Sequence, residues 1–335
     1  MEYRTLGRTG LKVSPLCLGA MMFGGKTAHE DGVAIIDKAI DQGINFIDTA
    51  NVYSRGLSEE VVGDALKRRS RRDSIVLATK VHGVMDAEDP NMQGNSRRHI
   101  IQQCEASLRR LQTDWIDLYQ IHRPQSDIPI DETLRAMDDL IRSGKVRYIG
   151  TSTFAAWQVV ESIAVAEKYG LNRFVCEQPP YNLLDRRIER ELIPMAQTYG
   201  IGIIPWSPLA GGLLTGKYRR GEPLPTDTRF NENMPAFQRK RYNERVFDVV
   251  EGIEPIAESK ECTLSQLALA WAMQQPGVTS PIIGPRTMEQ FDDNMGALRI
   301  TLNEDDLKAI DAVALPGDSV SSYYEADFGP HQFRV

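Results

Sequence analysis

The chain has 335 residues, 41% of them hydrophobic and 25% charged, which suits one large barrel or two small domains with a substantial core. Its formal charge of -7, with basic pairs such as Arg71-Arg72 and Arg97-Arg98 dispersed rather than massed, argues against nucleic acid or an anionic membrane as a partner. Cys17, Cys104, Cys176 and Cys262 are widely spaced, the N-terminus has no apolar core of leader length, and no long apolar run occurs; a soluble cytoplasmic protein with reduced cysteines and no bound metal is expected.

The opening YRTLGRTGLKVS, two short alternating runs around Gly7 to Gly10, predicts a β-hairpin over residues 1–14. Eight strand-like runs follow. They are PLCLGAM from Pro15, INFIDTA from Ile44, SIVLATKV from Ser74, WIDLYQIH from Trp115, VRYIGTS from Val146, FVCEQ from Phe174, IGIIPWS from Ile201 and SPIIG from Ser280. Amphipathic stretches such as DGVAIIDKAIDQG, SEEVVGDALKRR, SRRHIIQQCEASLRRL and DETLRAMDDLIRSG lie between them and read as helices. Apolar strands alternating with helices imply a parallel sheet covered by helices. Eight such units, with no linker or change of composition, predict a single (β/α)8 TIM barrel over residues 1–335, with 316–335 as a tail. A doubly wound sheet with an added domain is the competing architecture. Two long, turn-rich segments, HGVMDAEDPNMQGNS and YRRGEPLPTDTRFNENMP, follow the third and seventh strands and are candidate substrate loops.

Ionisable residues fall where successive strands end. The second strand supplies Asp48, with Tyr53 five residues on; the third supplies Lys80 and the fourth His122. Singly, each is as well explained by a cap, a loop aromatic or a surface group; together they face one end of the barrel. A phenol with an ordinary pKa near 10 donates a proton poorly at neutral pH, but an adjacent ammonium stabilises the phenolate. An aspartate holds that ammonium, and an imidazole can orient a carbonyl oxygen. Carbonyl reduction needs such a donor, together with a hydride that no side chain supplies and a nicotinamide cofactor does. Ser152 and Gln178 offer donors and acceptors suited to a carboxamide, and Trp206 a flat face for stacking, although a rim aromatic is an equal reading of the tryptophan alone.

GGLLTGKY, from Gly211 to Tyr218, imitates a triphosphate loop until Tyr218 stands where magnesium chemistry needs Ser or Thr. Its glycine amides and Lys217 still suit a pyrophosphate. After the eighth strand, Gly284-Pro285-Arg286 precedes a helix start at which Thr287 and Gln290 have capping-box spacing. Arg286 there is a donor for an anion such as the 2'-phosphate that distinguishes NADP(H) from NAD(H).

FIDTANVYSRG, ATKV, DLYQIHRP, EQPPYN, WSPLAGGLLTGKY and IIGPRTMEQFDDN, in this order, strongly resemble the aldo-keto reductases. The resemblance implies a (β/α)8 fold and an NADPH-dependent reductase of an aldehyde, ketone or keto-sugar, with Tyr53 as general acid, Lys80 and Asp48 as its pKa-lowering pair and His122 orienting the carbonyl. It further implies that Asp48, Ser152 and Gln178 lie at the nicotinamide and that Trp206 stacks on it. Ser207, Leu209, Gly211, Gly212, Lys217 and Arg229 would hold the pyrophosphate, and Gly284, Arg286, Gln290, Asp293 and Asn294 the adenosine end. Thr153 stands where many members have Asn, Gly284 and Gln290 where many have Lys and Arg, and Met21 where some have an aromatic. Two other functions compete. Potassium-channel β subunits share these motifs and sense cofactor, but carry Asn at the position of His122; a barrel lyase would use Lys80 as a Schiff-base amine. Substrate identity is expected in the two long loops and in the tail, whose Tyr323, Tyr324 and Phe333 either cover the site or pack on the barrel.

Overall fold

The computed structural model describes residues 1–226, 228–321 and 323. The hairpin forms as expected: β1 (Arg4–Thr5) and β2 (Lys12–Val13) are antiparallel, with Arg4 opposite Val13. At its turn Gly7 takes φ 52, and a Cβ there would stand 2.6 Å from the Val175 carbonyl oxygen, so glycine alone allows this close approach. Leu6 and Val13 pack with Cys17, Phe46, Val76, Leu118 and Ile204. The hairpin thereby plugs the N-terminal mouth of the barrel.

The eight expected strands are present as β3 (Cys17–Gly19), β4 (Phe46–Asp48), β5 (Val76–Val81), β6 (Ile116–Ile121), β7 (Val146–Ser152), β8 (Cys176–Gln178), β9 (Gly202–Ile203) and β10 (Ile282–Ile283). All pair in parallel in the order β10-β3-β4-β5-β6-β7-β8-β9. A parallel bridge between Ile203 and Val278 closes the ring, reinforced by the Thr279 N–H donating to Ile203 O (2.7 Å) and the Ile282 N–H to Pro205 O (2.9 Å). Six helices each follow one strand: α1 (His29–Asp41), α2 (Leu57–Arg68), α3 (Arg97–Arg110), α4 (Ile130–Arg142), α5 (Ala156–Tyr169) and α6 (Leu192–Tyr199). Between β9 and β10 lie α7 (Ala236–Arg241), α8 (Glu244–Ser259) and α9 (Leu264–Gln274); α10 (Met288–Gly296) and α11 (Glu304–Val313) complete the chain's helices among the described residues.

Side chains alternate across each strand, and the alternation sorts the core into two layers. Ile47, Leu77, Tyr119 and Ile149 point outward into the layer shared with Ile36, Val62, Ile100 and Leu134 of the helices. Phe46, Val76, Ala78, Leu118 and Cys176 point inward and fill the lower barrel. The inward positions above them are polar, and this is where the candidate site lies. Among the described residues no helix is long and apolar enough to cross a membrane. The four cysteines are free thiols, with Cys17, Cys104 and Cys176 buried.

The start of the tail is anchored on the barrel. The Arg186 N–H donates to Asp318 O (2.8 Å), the Val320 and Ser321 N–H groups donate to Leu184 O, and the Tyr323 N–H donates to Asp185 Oδ2 (2.8 Å). Of the tail aromatics, Tyr323 is buried at the cleft with its ring edge-on to Trp206, centroids 5.4 Å apart. Tyr324 and Phe333 lie outside the described residues.

Candidate active site

The inward register continues upward from the apolar barrel floor. Two residues beyond Phe46 stands Asp48, two beyond Ala78 stands Lys80, and two beyond Leu118 stands Gln120, with His122 next on the same face. Ser152 and Gln178 end β7 and β8 as register partners. Tyr53 comes from a 3-10 turn, Tyr53–Gly56, that follows β4 and starts with its own N–H donating to Ala50 O (3.1 Å).

These side chains meet. Lys80 Nζ donates to Asp48 Oδ1 at 2.5 Å and to the Thr49 carbonyl at 2.7 Å, and lies 3.4 Å from the Tyr53 hydroxyl. On its other side that hydroxyl is 3.5 Å from His122 Nε2. The second oxygen of Asp48 accepts from Gln120 Nε2 and Gln178 Nε2, each at 3.0 Å. The carboxylate is therefore held at both oxygens, by an ammonium on one and two amides on the other.

Burial and charge fix the protonation states. Burial pulls the Lys80 ammonium toward neutrality, but the Asp48 carboxylate and the Tyr53 oxygen outweigh it and hold the pKa above the usual lysine value. His122 moves the other way: burial, then the positive charges of Arg123 and Lys80, keep its pKa well below the ordinary histidine value. At neutral pH the site holds a cationic lysine and a neutral imidazole on opposite sides of one phenol. A Schiff-base lyase needs a neutral lysine amine, so these surroundings oppose that alternative.

A cleft of about 600 Å³ opens above this cluster. Asp48, Tyr53, His122, Ser152, Gln178 and Trp206 line one end. Ser207, Leu209, Gly211, Gly212, Lys217, Arg229, Gly284, Arg286, Gln290, Asp293 and Asn294 line the rest. Of the expected catalytic and cofactor-contacting residues, Lys80 alone stands behind the wall, fully buried beneath Asp48 and Tyr53.

The far end has the chemistry of a phosphate site. Burial, then the charges of Arg286 and Arg229, lowers the Lys217 pKa below the usual lysine value. Among the described residues none of these three cations is engaged in an ion pair, and the one carboxylate lining this end, Asp293, accepts from Thr263 Oγ1 (2.9 Å) and Gln266 Nε2 (3.0 Å). Gly211 and Gly212 take φ 66 and 103, and a Cβ on Gly212 would stand 2.7 Å from Lys217 Nζ. Cations crowded together around a backbone that only glycine leaves open fit the phosphates of a dinucleotide.

Some details differ from expectation. The capping box at α10 is half formed: the Thr287 hydroxyl accepts from the Gln290 N–H (3.3 Å), but Gln290 Oε1 reaches past the cap to the Arg286 N–H (2.8 Å). Gln290 thus pins the backbone that carries Arg286. Ser152 Oγ donates to the Gln178 carbonyl (2.9 Å), and Gln178 Nε2 also bonds Gln120 Oε1 (3.1 Å), so both prospective carboxamide partners are already braced by the barrel. Thr153 takes φ 63, a conformation that asparagine tolerates and a β-branched residue resists. The candidate loop after β5 borders a second cavity of about 600 Å³ rather than the main cleft, and the insertion after β9 contributes Arg229 and Gln238.

The sequence reading missed Gln120, Arg123, Lys26 and Arg241. Gln120 had a signal, since an inward polar residue in the apolar run WIDLYQIH shares the face of His122. Arg241 had none. It is brought to the cleft by α7 and lies 3.9 Å over the Tyr323 ring, a meeting of distant segments.

The aldo/keto reductase family model matches residues 15–315. An uncharacterized oxidoreductase, YrpG, of Bacillus subtilis (strain 168) is 42% identical over 326 residues, covering 95% of this chain and 97% of its own. Probable voltage-gated potassium channel β subunits of Arabidopsis thaliana and Oryza sativa subsp. japonica are each 40% identical over 304 residues, 90% of this chain and 92% of theirs.

Proposed function

The chain belongs to the aldo/keto reductase family, and from that premise we propose that it reduces an aldehyde, ketone or keto-sugar to the alcohol with NADPH. The observation that carries this reading is the Tyr53 hydroxyl held between the Lys80 ammonium and the neutral His122 imidazole. A bound reduced nicotinamide supplies the hydride. Tyr53 delivers the proton to the carbonyl oxygen as general acid, and the phenolate left behind is stabilised by Lys80, whose charge Asp48 and the Thr49 carbonyl keep aimed. Neutral His122 orients the same oxygen without competing as an acid. Gln120, through the second oxygen of Asp48, keeps that carboxylate turned toward the lysine.

The dinucleotide would lie along the cleft. Trp206 would face the nicotinamide, with Ser152, Gln178 and Asp48 at the carboxamide. Ser207, Leu209, Gly211, Gly212, Lys217 and Arg229 would hold the pyrophosphate, and Gly284, Arg286, Gln290, Asp293 and Asn294 the adenosine end. Arg286 would read the 2'-phosphate, and with Gly284 and Gln290 uncharged beside it the preference for NADPH over NADH rests mainly on that side chain.

A second reading, a cofactor-sensing subunit of a larger assembly, is supported by the relatives named as channel β subunits. The complete set of Asp48, Tyr53, Lys80 and His122 favours turnover. The test is NADPH oxidation with a panel of aldehydes, ketones and keto-sugars. Tyr53→Phe should lower kcat by about 100- to 10,000-fold, the usual range for a general acid, and leave the Kd for NADPH within about threefold. A variant as active as the wild type would remove Tyr53 from the mechanism, and binding of NADPH without turnover of any carbonyl would favour the sensing role.

A further inference from the structure

Tyr218, the residue that breaks the triphosphate-loop pattern, is buried directly after Lys217. Its hydroxyl accepts a hydrogen bond at 3.2 Å from the Phe230 N–H, twelve residues further on. The ring stands edge-on to Phe230 and to Tyr242, at centroid distances of 5.7 and 6.1 Å, and Phe230 stacks on Tyr242 at 6.3 Å. Tyr218 therefore grips the far end of its own loop twice, by a buried polar contact and by an apolar one. Thr228 Oγ1 lies 2.8 Å from the carbonyl oxygens of both Pro225 and Phe230, and Asn231 Nδ2 donates to Thr228 O (2.7 Å), so local bonds also brace the chain beside Phe230.

What this grip delivers is Arg229. Lys217 is attached to the glycine turn and Arg286 follows β10, whereas Arg229 reaches the cleft from the returning limb of the loop. A Cβ on Gly211 would stand 3.1 Å from Arg229 Cδ and 3.3 Å from the Phe230 ring, so both rest against the turn where glycine leaves room. Lys217 and Arg229 repel each other, so the loop needs an attachment that keeps them together. The outgoing limb has its own tether, Arg220 to Glu244, Asp248 and Glu251 of α8, but these are surface ion pairs, which contribute little. The returning limb depends on the buried bond. Any aromatic ring would fill the cluster, while only a phenol supplies an acceptor for the buried Phe230 amide.

We propose that Tyr218 is a positioning residue of the cofactor site: its hydroxyl, by holding the Phe230 amide, sets Arg229 against the glycine turn beside Lys217, so that a pyrophosphate meets two cations already in place. Lys217 Nζ lies 5.3 Å from the centroid of the Tyr218 ring, so the same side chain stands beneath both. Tyr218 acts through Arg229 and supplies no group to the reaction. This role rests on the reading of the cleft as a dinucleotide site and deepens it.

The test is a double-mutant cycle in dinucleotide binding. NADPH and NADH are titrated by calorimetry into the wild type, Tyr218→Phe, Arg229→Ala and the double variant, each checked for native folding by circular dichroism and thermal melting. Tyr218→Phe keeps the ring in its cluster and removes only the acceptor of the Phe230 amide. It should weaken both dinucleotides by about 3- to 10-fold, the range for one hydrogen bond. In the Arg229→Ala background, itself weaker by about 10-fold, the same change should cost less than about twofold. Hydrogen exchange of the Phe230 amide should quicken in Tyr218→Phe without ligand. Equal weakening in both backgrounds overturns the proposal, because Tyr218 would then act by a route other than Arg229, and so does an affinity unchanged in Tyr218→Phe. Inorganic pyrophosphate, titrated into the same four proteins, separates this result from the reductase reading. If the wild type binds neither dinucleotide, the reductase reading fails; pyrophosphate binding that Tyr218→Phe weakens only while Arg229 is present then upholds the role of Tyr218. Pyrophosphate binding that ignores Tyr218, or none at all, rejects it.

Discussion

The two ends of the cleft solve opposite electrostatic problems. At the carbonyl end the charges of the catalytic cluster are answered from within the barrel: Lys80 by Asp48 at 2.5 Å, and Asp48 in turn by two glutamine amides. At the phosphate end Lys217, Arg229 and Arg286 are brought together with no acidic partner among the described residues, and burial, joined by the charges of Arg286 and Arg229, lowers the Lys217 pKa. The first end is preorganised without ligand, as the proposed proton-donating role requires if the protein is not to reorganise during the reaction. The second holds a repulsion that an anionic ligand would relieve, so part of the binding free energy of the proposed dinucleotide would come from ending an unfavourable arrangement.

The contrast can be broken or sharpened by substitution. Arg286→Ala should weaken NADPH by about 10- to 100-fold and NADH by no more than about threefold, as expected for loss of one charge-assisted contact to a phosphate. Calorimetric titration with both dinucleotides checks this, and equal weakening would detach Arg286 from the 2'-phosphate. Lys217→Met should weaken both dinucleotides by about 10-fold while raising the melting temperature of the ligand-free protein, since it removes one of three mutually repelling cations. A lower melting temperature without ligand would mean that the three charges do not oppose one another.

At the carbonyl end one carboxyl is the exception. Glu177, on the outer face of β8, is fully buried, and burial drives its pKa up to about 8 despite the hydrogen bond it accepts from the Phe154 N–H. The folded protein therefore holds this proton more tightly than the unfolded chain does. The associated stability is present in full below the unfolded carboxylate range, near pH 4.5, and is lost as pH rises toward 8. Glu177→Gln should match the wild type near pH 5 and exceed it in stability by at least about 1 kcal/mol at pH 9, as read by urea melts at the two pH values. A stability difference independent of pH would show the carboxyl to be ionised in the fold. The smallest expected effect is a gain of about 1 kcal/mol for Thr153→Asn, which relieves a left-handed β-branched residue while offering Arg123 an equivalent acceptor. A loss measured in the same melts would mean that the threonine methyl contributes more than the backbone strain costs.

The same two regions differ in how far the sequence reveals them. The carbonyl end was legible because most of its residues sit on or just beyond strands, where a period of two decides which way each side chain points; Asp48, Lys80, His122, Ser152 and Gln178 all fall on inward positions, while Tyr53 comes from the turn after β4. Gln120 obeyed the same rule and could have been found from its place two residues before His122. The phosphate end was legible through glycine and cation spacing, but only as a set of residues, since the crowding of Lys217 against Arg229 and Arg286 depends on loops whose paths the sequence does not dictate. The contact of Arg241 with Tyr323 was beyond reach, because it joins the insertion after β9 to the chain's final segment. Gln290 was recognised as a helix-start residue, yet its bond to Arg286 rather than to the cap depends on backbone geometry at the level of one residue.

The most direct measurement is titration of the purified protein with NADPH and with NADH, following tryptophan fluorescence in the wild type and in Trp206→Phe. The expected result is saturable quenching at lower concentration for NADPH than for NADH, with most of the signal lost in Trp206→Phe while calorimetry still registers binding. No saturable response and no binding heat with either dinucleotide would contradict the assignment of the cleft to a nicotinamide cofactor, and with it the proposed reduction.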